Sequence, residues 1–135
     1  MHGSCLCGAV RFEITGRTTD MWMCHCSLCR RVSGVASNAN LMAGRDRLRW
    51  LTGEDHIAKF ELPSGWGPWR CSTCGSPVPR LRPDGGAYFV PVGLLDSDPG
   101  VRIAAHIFVD SRAAWDEVAG TAPQFSEGFG STRVE

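Results

Sequence analysis

Seven cysteines in three compact groups constrain this chain of 135 residues more than any other feature. The groups are Cys5-Leu6-Cys7-Gly8, Cys24-His25-Cys26-Ser27-Leu28-Cys29 and Cys71-Ser72-Thr73-Cys74-Gly75. Thiols spaced this closely favour metal binding over disulfides in a reducing compartment, and an odd number would leave one thiol unpaired in any case. We therefore expect the chain to fold around metal ions.

The spacing of the thiols predicts two zinc sites of different kinds. A structural zinc takes four protein ligands, whereas a catalytic zinc takes three and keeps one position open. The two outer groups supply two thiols each, because residues two apart in an extended chain project to one side and cysteines three apart wrap a metal. The central group supplies three thiols by itself. We predict two Zn²⁺ per chain, a structural one on Cys5, Cys7, Cys71 and Cys74 and a catalytic one on Cys24, Cys26 and Cys29.

Two alternatives remain open at this point. The outer cysteines could be buried as small apolar side chains, and the central group could hold a second structural zinc closed by a histidine. The candidates for the fourth central ligand are His25, His56, His106, water and substrate. His25 lies between two ligands and is expected to point away and form outer hydrogen bonds. A core or outer role is also favoured for His106, on an apolar strand.

Three thiolate ligands suit the central zinc to sulfur chemistry. They leave the metal a weak Lewis acid for splitting water but a good partner for another soft ligand, and zinc deprotonates a coordinated thiol. A free thiol titrates near 8.5 and is mostly protonated at neutral pH, so a metal-held thiolate is a large gain in nucleophile. The pattern predicts a small-molecule thiol as substrate.

The fold class is predicted to be mainly β, a single small domain of short antiparallel sheets held together by zinc, with a short C-terminal helix. Residues 9–15 alternate apolar and polar side chains as a half-buried strand does. A Pro-Asp-Gly turn at 83–85 predicts a hairpin between residues 78–81 and 87–95. Further strands are expected at 40–43, 48–51, 57–62 and 101–109, and a short helix capped by Asp110 or Ser111 should run through Val118. The domain should span residues 1–120, with a surface tail at 121–135.

Charge and hydropathy limit the partners. The formal net charge is zero, which offers no electrostatic footprint for nucleic acid. No apolar run approaches the roughly 18 residues of a membrane span, so a cytoplasmic protein without a membrane partner is expected. The oligomeric state is left open by the sequence.

The order and spacing of these motifs resemble the glutathione-dependent formaldehyde-activating enzyme family, which shares its domain with centromere protein V. The matching segments are residues 3–10, 24–31 with Ser33-Gly34, 71–75, and 106–109 followed by Trp115. The resemblance implies a β-tent-like fold and the same division of the seven cysteines between a structural and a catalytic zinc. It also implies a carbon-sulfur lyase that interconverts glutathione plus formaldehyde and S-hydroxymethylglutathione.

The resemblance leaves the identity of the substrate open, because one fold can serve several functions. Arg30 or Arg31 could meet a carboxylate of glutathione, and Trp66 or Trp69 could line the mouth of the site. Two other functions remain as alternatives, a non-enzymatic zinc-binding interaction module and a thiol-based redox or metal sensor.

Overall fold

The computed structural model describes residues 1–134, which form twelve short strands and one α-helix. The helix is α1 (Ser27–Ser33). The strands are β1 (His2–Ser4), β2 (Arg11–Ile14), β3 (Met21–Cys24), β4 (Asn38–Gly44), β5 (Leu48–Thr52), β6 (Ile57–Lys59), β7 (Trp69–Cys71), β8 (Arg80–Leu81), β9 (Ala87–Pro91), β10 (Ile103–Ile107), β11 (Gln124–Phe125) and β12 (Arg133–Val134). The prediction of a mainly β fold of short sheets is confirmed.

The described chain forms two compact units. The first contains residues 1–19 and 41–100, and the second contains residues 20–40 and 101–134. Strand β4 begins in the second unit and ends in the first. Strands β11 and β12 fall within residues 121–135, the predicted surface tail, and pair with each other in the second unit. No helix in residues 1–134 has the length and apolar character that crossing a membrane requires.

The first unit is built from antiparallel pairs. Strand β2 lies between β1 and β5, and its buried Phe12 packs edge-on against Trp50 of β5. Strand β6 pairs with β7. The predicted hairpin is confirmed by the antiparallel pairing of β8 with β9, and the Asp84 carboxylate accepts a hydrogen bond from the Gly86 N–H within its turn. Short strands of this kind need a further element to cover their apolar faces.

A small core in the first unit contains two of the cysteines. Four side chains are almost fully buried together: Cys5, Val10, Cys71 and Val78. Trp50 and Trp69 pack against this core as partly buried residues. The outer thiols are therefore placed by the same contacts that hold the first unit together.

The second unit contains parallel strand pairs, which the alternation of apolar and polar residues along the sequence does not reveal. Strand β10 runs parallel to β3 on one side and to β11 on the other, and β3 pairs antiparallel with β4. Cys24, the last residue of β3, lies opposite Ile107 on one side and Asn38 on the other. The end of β3 therefore lies between two paired strands, β10 and β4.

The helices differ from expectation in position. The expected C-terminal helix is a three-residue 3₁₀ helix, Val109–Ser111, after which Arg112 is extended. The α-helix instead follows β3. It begins after Cys26 and ends before Gly34, the capping residue, which has a left-handed φ of 72° that glycine adopts without strain. Seven residues are too few to produce a readable helical period, so the sequence gives no clear signal for α1.

Candidate metal centres and the residues that hold them

The structure brings Cys5, Cys7, Cys71 and Cys74 together as one four-cysteine group. Their sulfur atoms all lie within 4.8 Å of one another, with Cys7 Sγ 3.7 Å from Cys5 Sγ and 3.9 Å from Cys71 Sγ. With Zn–S bonds of about 2.3 Å, two sulfurs on a tetrahedral zinc lie about 3.8 Å apart, whereas a disulfide requires about 2.05 Å. The spacing fits four ligands of one metal ion and excludes disulfides.

Backbone N–H groups support the thiolates of this group. The Val10 N–H donates to Cys5 Sγ at 3.3 Å. The backbone N–H groups of Cys7 and Ser76 lower the pKa of Cys74 to about 6. Gly8 and Gly75 follow their cysteines with φ of 78° and 75°, which permits the tight turns by which the chain leaves each pair. The two N–H groups favour the ionised form of the Cys74 sulfur, the form that binds metals.

Cys24, Cys26 and Cys29 form a separate three-cysteine group in the second unit. Their sulfur atoms also lie within 4.8 Å of one another. Cys24 and Cys29 are buried, and Cys26 is partly exposed. Cys26 is the N-cap of α1, where its sulfur accepts a hydrogen bond from the Cys29 N–H at 3.3 Å. Ser27, the more usual type of capping residue, is the first residue inside the helix.

The charge of the three-cysteine group fits a divalent, sulfur-seeking metal. Hydrogen bonds from Cys24 and Cys29 lower the pKa of Cys26 to about 2, and the bond to Cys26 raises the pKa of Cys24 to about 11. The pKa of Cys29 is also raised, first by its bond to Cys24. Three sulfurs at this distance disfavour one another's ionisation, and a divalent cation would supply the charge that three thiolates need. Soft thiolates select ions such as zinc.

The histidines proposed as a fourth ligand are placed elsewhere. Neither cysteine group includes a histidine among residues 1–134. His56 lies in the first unit, in the 3₁₀ helix Glu54–His56. Both ring nitrogens of buried His25 are engaged, Nδ1 with the Asp116 carboxylate at 2.6 Å and Nε2 with His106 Nδ1 at 2.9 Å. Neither ring nitrogen of His25 is therefore available to a metal ion in this arrangement.

The buried rings of His25 and His106 are hydrogen-bonded to each other. A carboxylate only accepts hydrogen bonds, so His25 Nδ1 carries a proton towards Asp116, and a second proton lies between His25 Nε2 and His106 Nδ1. Burial and the neighbouring His25 lower the pKa of His106, against the effects of the Ala119 backbone and Asp116. His25 therefore points its ring into hydrogen bonds with Asp116 and His106, as its predicted outer role requires.

Arg30 is committed to the backbone and Arg31 faces solvent. Arg30 Nη1 donates to the carbonyl oxygens of His25, at 3.0 Å, and of Ser111. Arg31 is exposed on α1. Both aromatic candidates, Trp66 and Trp69, lie in the first unit. The Lys59 ammonium is 4.0 Å from the centre of the Trp69 ring. Arg31 is thus the more exposed of the two arginines.

Comparison with known proteins identifies the family. A family model described as "Glutathione-dependent formaldehyde-activating enzyme" matches residues 1–111. The chain belongs to this family. The resemblance seen in the motifs is confirmed, and all seven cysteines lie within the matched residues.

Two known proteins are similar to this chain. A Halomonas elongata protein named "Putative glutathione-dependent formaldehyde-activating enzyme" is 27% identical over 126 residues, which cover 87% of this chain and 80% of that protein. The crystal structure of a Rhodobacter sphaeroides protein is similar with a TM-score of 0.60 and 29% identity, covering 73% of this chain and 90% of the other. The family model covers all seven cysteines but ends before Asp116.

Sequence reasoning missed Asp116 and Asn38. The Asn38 side-chain N–H donates to the Cys29 carbonyl at 3.3 Å, and Ser33 donates its hydroxyl to the same oxygen at 2.7 Å. Asp116 lies 91 positions from His25, in a segment predicted as helix. Contacts between residues this distant leave no periodic trace in one sequence, so no local signal could have found it.

Proposed function

We propose that this protein is a zinc-dependent carbon-sulfur lyase acting on an adduct of glutathione, or another small thiol, with an aldehyde, such as S-hydroxymethylglutathione. The observation that carries the proposal is that the seven thiols form one group of three and a separate group of four. The name of the family, which refers to glutathione and formaldehyde, supports the substrate class.

Each cysteine group would hold one Zn²⁺. The four-cysteine group offers a full tetrahedral set, as structural zinc requires, and the three-cysteine group offers one ligand fewer. Zinc held by three thiolates supplies a site that binds a thiol sulfur and favours its ionised form. Cys24, Cys26 and Cys29 are accordingly the proposed catalytic ligands.

The reaction requires no oxidant or reductant. In the forward direction a carbon-sulfur bond forms between the thiol and the aldehyde carbon, and the thiol proton ends on the aldehyde oxygen. The reverse reaction breaks that bond and returns the proton to sulfur. The task of the protein is therefore to hold the thiol in its ionised form and close to the aldehyde.

The chain's own residues orient the site. Cys24 and Cys29 are buried and Cys26 is partly exposed, so an approaching thiol meets the group on the side of Cys26. Arg31, exposed on α1, is near enough in sequence to meet a carboxylate of glutathione. Arg30 donates a hydrogen bond to the His25 carbonyl and Asn38 donates one to the Cys29 carbonyl, and these bonds keep the segment that carries the three thiols in place.

Exchange NMR tests the proposal directly. With ¹³C-formaldehyde and glutathione, the zinc-loaded protein should speed exchange between free formaldehyde and S-hydroxymethylglutathione above the uncatalysed rate. Cys26→Ser should abolish the increase, whereas the control Ser72→Ala, an exposed residue without a thiol, should keep it. Metal analysis should find two zinc ions per wild-type chain.

Two results would reject the proposal. The protein is not this lyase if it carries two zinc ions and leaves the exchange rate of every tested thiol unchanged. Release of one zinc at low peroxide, without any rate increase, would favour the redox-sensor alternative instead.

A further inference from the structure

Every polar atom of His25 is hydrogen-bonded. Its backbone N–H donates to the Ile107 carbonyl at 3.0 Å, and its carbonyl accepts from Arg30 Nη1 at 3.0 Å. Its ring nitrogens meet Asp116 Oδ2 at 2.6 Å and His106 Nδ1 at 2.9 Å. Three of these four partners come from residues 106–116, on and after β10.

His25 is the joint between two metal-binding elements. Cys24 ends β3 and Cys26 caps α1, so the chain passes from strand to helix through His25 alone. The backbone torsions of this one residue set the directions in which Cys24 and Cys26 project. A residue whose ring and backbone are both fixed holds those torsions to one arrangement.

Asp116 supplies the charged contact to the ring of His25. Its carboxylate is 7% exposed and the His25 side chain is 2% exposed, so the contact is shielded from water. A hydrogen bond with an ionised partner in such surroundings is stronger and shorter than one between neutral groups. Asp116 is itself fixed by a turn, in which its N–H donates to the Ala113 carbonyl at 3.0 Å.

We propose that Asp116 is a positioning residue for the three-cysteine group, acting through His25 to hold Cys24 and Cys26 in the arrangement that binds metal. Asp116 contributes no ligand and is not part of either cysteine group. The inference rests on the metal-binding role proposed above for Cys24, Cys26 and Cys29. It extends the functional machinery beyond residues 1–111 that define the family match.

Metal retention tests this proposal without an activity assay. Wild type, Asp116→Ala and Asp116→Asn are loaded with zinc and titrated with a chelator of known affinity, and the two zinc ions are counted as they leave. Glu117→Ala and Glu117→Gln are the matched controls, because Glu117 is the exposed neighbouring carboxylate. Cobalt-substituted samples report the coordination of each site by their absorption.

Asp116→Ala should weaken metal binding at the three-cysteine group by roughly 10- to 100-fold, the range seen when outer hydrogen bonds of a metal site are removed. The four-cysteine ion should be retained as in wild type. Asp116→Asn should fall between, since its amide oxygen still accepts the His25 Nδ1–H but carries no charge. The cobalt spectrum of the labile site should change in Asp116→Ala, and both Glu117 variants should match wild type.

Two outcomes overturn the proposal: unchanged retention in Asp116→Ala, or equal weakening of both sites, which would mark a general loss of stability. If Asp116→Ala does not fold, Asp116→Asn decides by the same criteria, with circular dichroism confirming its fold. A wild-type protein that binds only one zinc would instead reject the role of the three-cysteine group, and with it the proposed function.

Discussion

Removing the metal from the four-cysteine group should destabilise the protein more than removing it from the three-cysteine group. The perturbations are the double variant Cys7→Ser with Cys74→Ser, and the single variant Cys26→Ser. Each leaves two thiols in its group, too few to hold zinc tightly. None of the three residues is fully buried, so neither variant opens a core cavity. Serine also preserves the helix cap at position 26.

The expected difference follows from the lengths of chain that each ion closes. An ion shared by Cys7 and Cys71 joins residues 64 positions apart, whereas Cys24 and Cys29 lie within one six-residue motif. Treated as cross-links of the unfolded chain, these loops correspond to about 4 kcal/mol and about 2 kcal/mol of stabilisation. The difference of about 2 kcal/mol is large beside a total stability of about 5–15 kcal/mol.

Urea unfolding at fixed free zinc, with metal content measured on each sample, tests the difference. The double variant should have the lower midpoint, and in thermal unfolding its Tm should lie roughly 6–8 °C below that of Cys26→Ser. Both variants should contain one zinc ion per chain. The reasoning fails if Cys26→Ser, having lost one zinc, is destabilised as much as the double variant or more.

Two further predictions concern local structure. Gly53→Ala should destabilise the protein by more than Gly65→Ala, because both glycines have positive φ but only at position 53 would the new Cβ meet a backbone atom, the Ala9 carbonyl oxygen, at 2.1 Å. Gly65→Ala should lower the free energy of unfolding by about 1–2 kcal/mol, the cost of the left-handed backbone conformation alone. Equal urea midpoints for the two variants would contradict the predicted clash at position 53. The imidazole of His106 should titrate below the ordinary pKa of about 6.5 by NMR, since burial and His25 disfavour its charged form. Its contribution to stability is then complete above pH 6.5 and lost as pH falls through the lowered pKa, and a midpoint above 6.5 would refute this.

Much of the first unit was predictable because its signals are local. Alternation marked β2, and the Pro-Asp-Gly turn marked the β8–β9 hairpin with its pairing of Arg80 and Phe89. The second unit was less predictable because β3 is four residues long and its partner β10 lies about 80 positions away and runs parallel. A short apolar segment does not show which distant strand it will pair with.

The sequence by itself determined the cysteine groups, their zinc-like spacing and the turns that shape each pair, because these depend on residues only a few positions apart. It also carried enough ordered motifs to indicate the family. Only the tertiary structure decided that both nitrogens of His25 are occupied, that Arg30 holds backbone carbonyls, and that Asp116 reaches the joint between Cys24 and Cys26. Those contacts join residues far apart in the chain, and their formation depends on how the strands between them pack.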